Sequence, residues 1–252
     1  MIVTEADKLP EELIDVFVNT KYLVVLTGAG VSAESGMPTF RGEDGFWRKY
    51  NAMDLATPEA FANDPKLVWE WYDYRRGILD KTGPNRAHEV IAEMEKHYPQ
   101  FKLITQNVDG LHARAGSNKI IEIHGNLWRV KCQKCDYNGD FMEVPLKSNP
   151  PRCKCGGFLR PDVVWFGESL PMGAIDSAVE ALRACDTVLT VGTSGVVQPA
   201  ASFPLIAHEA GAAVIESNIE PTPITSICKH AMHGKATVLL DKLWNAVIEM
   251  EK

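Results

Sequence analysis

Gly28, Gly30 and Ala33 stand at the G-x-G-x-x-G/A spacing of a loop that receives a pyrophosphate. Glycines let the backbone come close to the phosphates, and the helix N-terminus beyond them offers N–H donors and the positive end of a dipole. Before the loop runs Tyr22-Leu23-Val24-Val25-Leu26, a continuous apolar stretch of the kind buried on both faces of a parallel sheet. The loop departs from the ordinary pattern. Gly36, Pro38 and Gly42 break the helix at once, and no second strand with a terminal acid follows. Phe40 and Arg41 lie in this interrupted stretch, where a ring and a guanidinium could cover a bound nucleotide. A tight turn beside a surface arginine is the plainer alternative.

Two further groups of residues could do chemistry. Tyr72 and Arg75 are three apart in a helical pattern and so share a face. A phenol beside a guanidinium suits a carboxylate, which takes a bidentate contact from one and a further donor from the other. The alternative is a core tyrosine next to a solvated arginine. Cys132, Cys135, Cys153 and Cys155 form two close pairs, the second followed by Gly156-Gly157, which permits a tight knuckle. Four thiolates suit one tetrahedral zinc ion in a closed, structural site, so no catalysis is expected from the metal. The single residue between Cys153 and Cys155 is fewer than the usual two, and a disulfide or unliganded thiols remain the alternative. Cys185 and Cys228 read as packing or bystander thiols.

These residues need positioning, and the pattern around them alternates strands with helices. Apolar runs at 101–105, 120–123, 187–191, 213–215 and 237–240 read as strands, and 10–20, 85–97, 173–184, 199–211 and 241–251 as helices. Thr57-Pro58-Glu59 and Pro65 read as helix starts within a mainly helical stretch. The alternation predicts an α/β fold, a Rossmann-like doubly wound parallel sheet with a smaller inserted domain. Polar residues follow several strand ends: Gly28 to Ser32, Gln106 to Asp109, His124, Gly192 to Ser194, and Asn218. In an open α/β sheet the ligand crevice lies at the carboxyl ends of the strands, so these groups are expected to converge on one site.

The chain has 252 residues, 45% hydrophobic and 23% charged, in the range of a globular protein of one large domain with an insert. Its net charge of −7, from 26 basic and 33 acidic residues, argues against nucleic-acid binding by bulk charge. No apolar run reaches the roughly 18 residues of a membrane span, and the N-terminus lacks the basic start and apolar core of a secretory signal. A cytoplasmic protein without membrane contact is expected. Its close cysteine pairs then point to metal rather than disulfides. The short tails lead us to expect a minimal catalytic core. A monomer is also expected.

The motifs together resemble the sirtuin family of NAD-dependent protein lysine deacylases. The resemblance rests on Gly28-Ala29-Gly30-Val31-Ser32, Gly36-Met37-Pro38-Thr39-Phe40-Arg41-Gly42, Thr105-Gln106-Asn107-Val108-Asp109 with Leu111-His112, and His124-Gly125. It also takes in the cysteine pairs, Val163-Val164-Trp165-Phe166-Gly167-Glu168 and Gly192-Thr193-Ser194, and so covers nearly the whole chain. It implies a single catalytic domain over 1–252. The Rossmann part would span 1–35, 84–127 and 161–252, with a helical module at 36–83 and a zinc module at 128–160.

The same resemblance implies site roles. Gly28, Ala29, Gly30, Ser32, Phe40 and Arg41 would line the NAD site, with Gln106, Asn107 and Asp109 near the nicotinamide ribose. Gly192, Thr193, Ser194, Asn218 and Ala236 would hold the adenosine half. His124 would be the general base, with Asn107 beside it. Val163, Val164, Trp165 and Phe166 would pair as a strand with the substrate peptide. The implied reaction attacks the ribose with the acyl oxygen, passes through an alkylimidate, and ends in free lysine, nicotinamide and O-acyl-ADP-ribose. Tyr72 and Arg75 match the Tyr-x-x-Arg pair of the branch that removes succinyl and malonyl groups, and Ala56 matches the small residue that widens its acyl pocket. Desuccinylase, demalonylase and deacetylase activities are therefore expected. Mono-ADP-ribosyl transfer at the same NAD site is the alternative. A binding module without turnover is disfavoured by the presence of both His124 and Asn107, and a dehydrogenase by the cysteine insert.

Overall fold

The computed structural model describes residues 2–37 and 52–252. In chain order its elements begin with β1 (Ile2–Thr4), α1 (Glu11–Val18), β2 (Tyr22–Thr27) and a 3-10 turn at Ala29–Ser35. After the undescribed stretch come α2 (Ala52–Leu55), α3 (Pro58–Asn63), α4 (Pro65–Asp80), α5 (Arg86–His97), β3 (Gln100–Thr105), α6 (Leu111–Arg114) and β4 (Ile120–Glu122). They are followed by β5 (Gly125–Cys132), β6 (Asn138–Asp140), β7 (Leu159–Val163), α7 (Met172–Ala184), β8 (Thr187–Val191), α8 (Phe203–Glu209), β9 (Ala213–Asn218), β10 (His230–His233) and α9 (Ala236–Met250).

Seven strands form one parallel sheet in the order β1-β10-β9-β8-β2-β3-β4. Leu23, Val24, Val25 and Leu26 of β2 are wholly buried, as the apolar run requires of a central strand covered on both faces. One face packs against α1, α5 and α9 through residues such as Phe17, Ile91, Leu239 and Leu243. The other packs against α7 and α8 through Ala178, Leu182, Phe203 and Ala207. From β2 the chain winds outward through β3 and β4, then returns to add β8, β9 and β10 on the other side. The order therefore reverses between β2 and β8, which is where a doubly wound sheet opens its crevice.

A second, antiparallel sheet, β6-β5-β7, shares an apolar cluster with α3 and α4 that includes Phe61, Trp69, Tyr72, Leu127, Leu159 and Trp165. The expected module boundaries at 127/128 and 160/161 fall inside β5 and β7. Helix starts follow their sequence signals. Thr57 Oγ1 accepts from the Ala60 N–H (3.0 Å), Asp64 Oδ1 from Leu67 N–H (2.9 Å), and Asn85 Oδ1 from Ala87 N–H (3.0 Å).

One expected strand is wrong. Thr237 to Leu240 lie in α9, and the strand that closes this side of the sheet is β10. A four-residue β-branched and aliphatic run fits either state. The recurrence of buried Leu239, Leu240, Leu243, Trp244 and Val247 at helical spacing decides for the helix.

Candidate active site

The crevice at the switch point is built by close backbone approach. The Gly28 N–H donates to the Val191 carbonyl (3.0 Å) and the Gly30 N–H to the Gly192 carbonyl (2.8 Å). A Cβ on Gly30 would stand 2.7 Å from both Cα and O of Gly192, so only glycine fits there. Gly192 itself has φ +59°, in the left-handed region. Its neighbour Thr193 is gripped from two sides. Gln106 Nε2 donates to Thr193 Oγ1 (2.8 Å) and Asn218 Nδ2 to the Thr193 carbonyl (3.0 Å). The ends of β2, β3, β8 and β9 are thus brought together, as the strand-end pattern predicts. Ala236 opens α9 two residues after Gly234, whose N–H donates to the Asn218 carbonyl (2.9 Å). Ser194 follows Thr193 on the loop after β8, and Ala29 begins the 3-10 turn after β2. Phe40 and Arg41 lie outside the described residues.

Beneath the crevice runs a buried polar network. Ser32 Oγ donates to Asp109 Oδ2 (2.8 Å) and accepts from Asn107 Nδ2 (3.1 Å). His88 Nε2 lies 3.2 Å from the same hydroxyl. Its Nδ1 faces both the Asn85 backbone N–H (3.2 Å) and Asn85 Oδ1 (3.0 Å). His112 Nε2 bonds Thr27 Oγ1 (3.0 Å), and Thr27 donates on to Thr105 Oγ1 (2.8 Å). The two imidazoles meet edge to face, 4.7 Å between centroids. Burial lowers both, His88 to about 4 and His112 well below its ordinary value with His88 adding to the effect, so both are neutral. Burial raises Asp109, against the hydrogen bonds from Leu111 N–H and Ser32 that favour its charge. Sequence reasoning gave His88 and His112 no role. The signal available was a histidine three residues after the N-cap Asn85, in the second arm of a capping box.

His124 sits where the parallel sheet passes into the small one, between β4 and β5. Gly125 makes this join with φ +82°, and a Cβ there would fall 2.0 Å from the Asp162 carbonyl oxygen. His124 Nδ1 donates to the Gln106 carbonyl (3.0 Å), which leaves Nε2 with its lone pair. Burial pushes its pKa below the ordinary histidine value, with the hydrogen bond to Gln106 opposing. The result is a half-buried neutral imidazole with one basic nitrogen, able to take a proton.

Tyr72 and Arg75 come from α4 of the small domain, and Ala56 from the turn between α2 and α3. Tyr72 is buried, and its Oη accepts from Trp165 Nε1 (2.8 Å). Arg75 is half-buried with its guanidinium over the Trp71 ring (4.9 Å to the centroid). Its charge favours the ionised forms of both Tyr72 and Asp109. Burial raises Tyr72 to about 12, with Arg75 opposing. The Ala56 carbonyl accepts from Phe166 N–H (2.9 Å). Val163 ends β7, Val164 N–H donates to the His124 carbonyl (2.9 Å), and Trp165 N–H to Glu168 Oε2 (2.9 Å).

The four cysteines converge away from this crevice. Cys132 and Cys155 sulfurs are 3.5 Å apart, Cys135 and Cys153 sulfurs 3.8 Å, and all four lie within 4.8 Å of one another. Zinc–sulfur arms of about 2.3 Å give a tetrahedron with edges of about 3.8 Å, so the donor set fits one zinc ion and not a pair of disulfides. No helix among the described residues is long and apolar enough to cross a membrane.

Comparison with known proteins agrees with this geometry. The Sir2 family profile matches residues 28–199. A protein of Aquifex aeolicus (strain VF5) named NAD-dependent protein deacylase is 54% identical over 228 residues, 90% of this chain and 95% of its own. The crystal structure of a Sir2 homologue with NAD superposes with a TM-score of 0.93 at 46% identity, covering 98% of this chain and 96% of that one. A triple mutant of a Sir2 homologue with 2'-O-acetyl ADP ribose gives 0.91 at 47% identity, covering 96% and 98%. With a family match across most of its length and relatives this similar end to end, the chain belongs to the Sir2 family, the sirtuins.

Proposed function

We propose that this chain, an NAD-dependent protein deacylase of the sirtuin family, removes succinyl and malonyl groups from protein lysines as well as acetyl groups. Each acyl group passes to ADP-ribose, with release of nicotinamide and free lysine. The observation that carries the acidic-acyl reading is the pair on α4. Tyr72 offers a buried hydroxyl, and the charge of Arg75 acts on both Tyr72 and Asp109. Ala56 adds little bulk to the apolar cluster that contains Tyr72.

Bound NAD supplies the ribose that receives the acyl group and a leaving group that departs neutral. The chain's own residues do the rest. Gly28, Gly30 and Gly192 spend their N–H groups within the chain and, having no side chains, leave room for the phosphates to approach the backbone, while Thr193, Ser194, Asn218 and Ala236 border the adenosine side. Asn107 and Asp109, locked through Ser32, orient the ribose beside Gln106, which holds the acyl oxygen and the ribose carbon in one place. His124 Nε2 then takes a ribose hydroxyl proton while Nδ1 stays bonded to Gln106. The N–H groups of Val164, Trp165 and Phe166 are engaged within the chain, so an extended peptide pairs there through carbonyls such as those of Val164 and Phe166.

The test is a paired assay with NAD and one peptide bearing acetyl- or succinyl-lysine, for wild type, His124→Tyr and Arg75→Met. Both activities are expected to vanish in the histidine variant. Only succinyl removal should fall in the arginine variant, by about tenfold or more, as for a lost charge-assisted contact. Equal loss of both substrates in Arg75→Met would refute the carboxylate role. Labelled ADP-ribose on protein without O-acyl-ADP-ribose would favour ADP-ribosyl transfer.

A further inference from the structure

We infer that Trp165 sets acyl specificity through its neighbour, by fixing the direction in which the Tyr72 hydroxyl donates. This rests on the acidic-acyl reading above. An indole N–H donates and never accepts, so the 2.8 Å contact makes Tyr72 Oη the acceptor. A phenol hydrogen keeps near the ring plane and has two orientations there. With the indole N–H directed at one side of the oxygen, the hydrogen turns to the other. Among the described residues no acceptor waits for it. Burial raises the phenol to about 12, so the hydrogen stays on.

Trp165 is itself held rigidly. It is 2% exposed. Its backbone N–H donates to Glu168 Oε2 (2.9 Å), and the Arg160 guanidinium lies over its ring, 3.2 Å from the centroid. Arg160 grips both oxygens of Glu168 (2.6 and 2.8 Å) and the Val163 carbonyl (2.9 Å). Phe61 packs against the same indole at 5.3 Å between centroids. Glu168, Arg160 and Trp165 form one braced unit whose indole N–H donates to Tyr72 on α4. A carboxylate at the far end of an acyl chain accepts the hydrogen so presented, and an acetyl methyl gains nothing from it. Trp165 is thus a positioning residue that acts through Tyr72.

The experiment compares wild type, Trp165→Phe, Tyr72→Phe and the double variant, each zinc-loaded, on succinyl- and acetyl-lysine peptides. Trp165→Phe keeps a ring between Arg160 and Phe61 and removes the N–H. It should raise the succinyl KM about fivefold relative to the acetyl KM, the loss of one pre-oriented donor. In the Tyr72→Phe background the same substitution should change the succinyl KM no further. Equal loss on both peptides, or effects that multiply in the double variant, would overturn the inference and leave Trp165 a packing residue. An unchanged succinyl-to-acetyl ratio in Tyr72→Phe would instead refute the acidic-acyl reading itself. Should Trp165→Phe fail to fold, benzothienylalanine at 165 keeps the bicyclic shape without the N–H and is held to the same outcomes.

Discussion

The buried pair His88 and His112 should make this protein sensitive to mild acid, and His88 can be isolated. Burial holds the His88 imidazole at about 4, against about 6.5 in an unfolded chain. The folded state therefore binds fewer protons than the unfolded state between these values, and stability falls as pH falls through that window. From pH 7 to pH 5 the unfolded imidazole becomes almost fully protonated while the folded one stays mostly neutral. Linkage over that interval removes about 2 kcal/mol for this one residue. That is a sizeable share of the 5–15 kcal/mol of an ordinary domain. His112 and His124 are lowered by burial too and add with the same sign. Asp109, raised by burial, acts in the opposite sense. Comparison with His88→Gln, a side chain that cannot charge, cancels the contributions of His124 and Asp109 and the larger, burial part of that of His112, and leaves only the smaller part that His88 imposes on His112. The bond lost to Ser32 lowers the variant at every pH and drops out of the same comparison. Urea unfolding of the zinc-loaded proteins at pH 7 and pH 5 provides the numbers. Wild type should lose about 2 kcal/mol more than the variant across the interval. A difference below about 0.5 kcal/mol would mean that His88 is charged or hydrated in the folded state, and that the neutral network beneath the crevice is wrongly described.

The other expectations are simpler. Gly30→Ala drives a Cβ to 2.7 Å from Gly192 Cα and O, and neither backbone can yield without parting the loops after β2 and β8. The NAD KM should rise about tenfold or more, with the peptide KM nearly unchanged, in steady-state assays where each is varied. A zinc titration of the purified chain should give one ion per molecule. That value should be lost in Cys153→Ser and kept in Cys185→Ser and Cys228→Ser, because only the first belongs to the convergent set.

Legibility in the sequence followed how locally each feature is determined. The strand at 187–191 and the starts of α3, α4 and α5 match their signals, since an apolar run, a proline at the first turn and a capping side chain act within a few residues. The cysteine cluster and the strand-end crevice were legible because their spacing encodes the geometry. The run at 237–240 misled because propensity over four residues is weak beside the packing of a whole helix face. β1 and β10 are three and four residues long, and β10 begins and ends with histidine, so neither carries an alternating or continuous apolar pattern. His88, His112 and the Trp165 indole were invisible as functional groups. Their meaning lies in partners 56, 85 and 93 residues away along the chain, which only the fold brings near.

The placement of α4 explains why a closed metal site belongs in this domain. Arg75 and Arg76 are consecutive, and the helix sends them to different surroundings. The charge of Arg75 acts on Asp109, while Arg76 is wholly buried between the rings of Trp128 (5.3 Å) and Phe141 (5.0 Å). Arg76 also donates to the Phe141 carbonyl. Trp128 lies on β5 and Phe141 directly after β6, so both rings ride on the small sheet whose connecting turn the cysteines close. Trp128 in turn donates its Nε1 proton to the Asp109 carbonyl (2.9 Å). A shift of the small sheet would move Arg76, with it the turn of α4 that bears Tyr72 and Arg75, and at the same time the main chain of Asp109. Four thiolates on one ion leave no open position for chemistry. Their contribution is to hold α4 and the loop that carries Asp109 in one fixed relation.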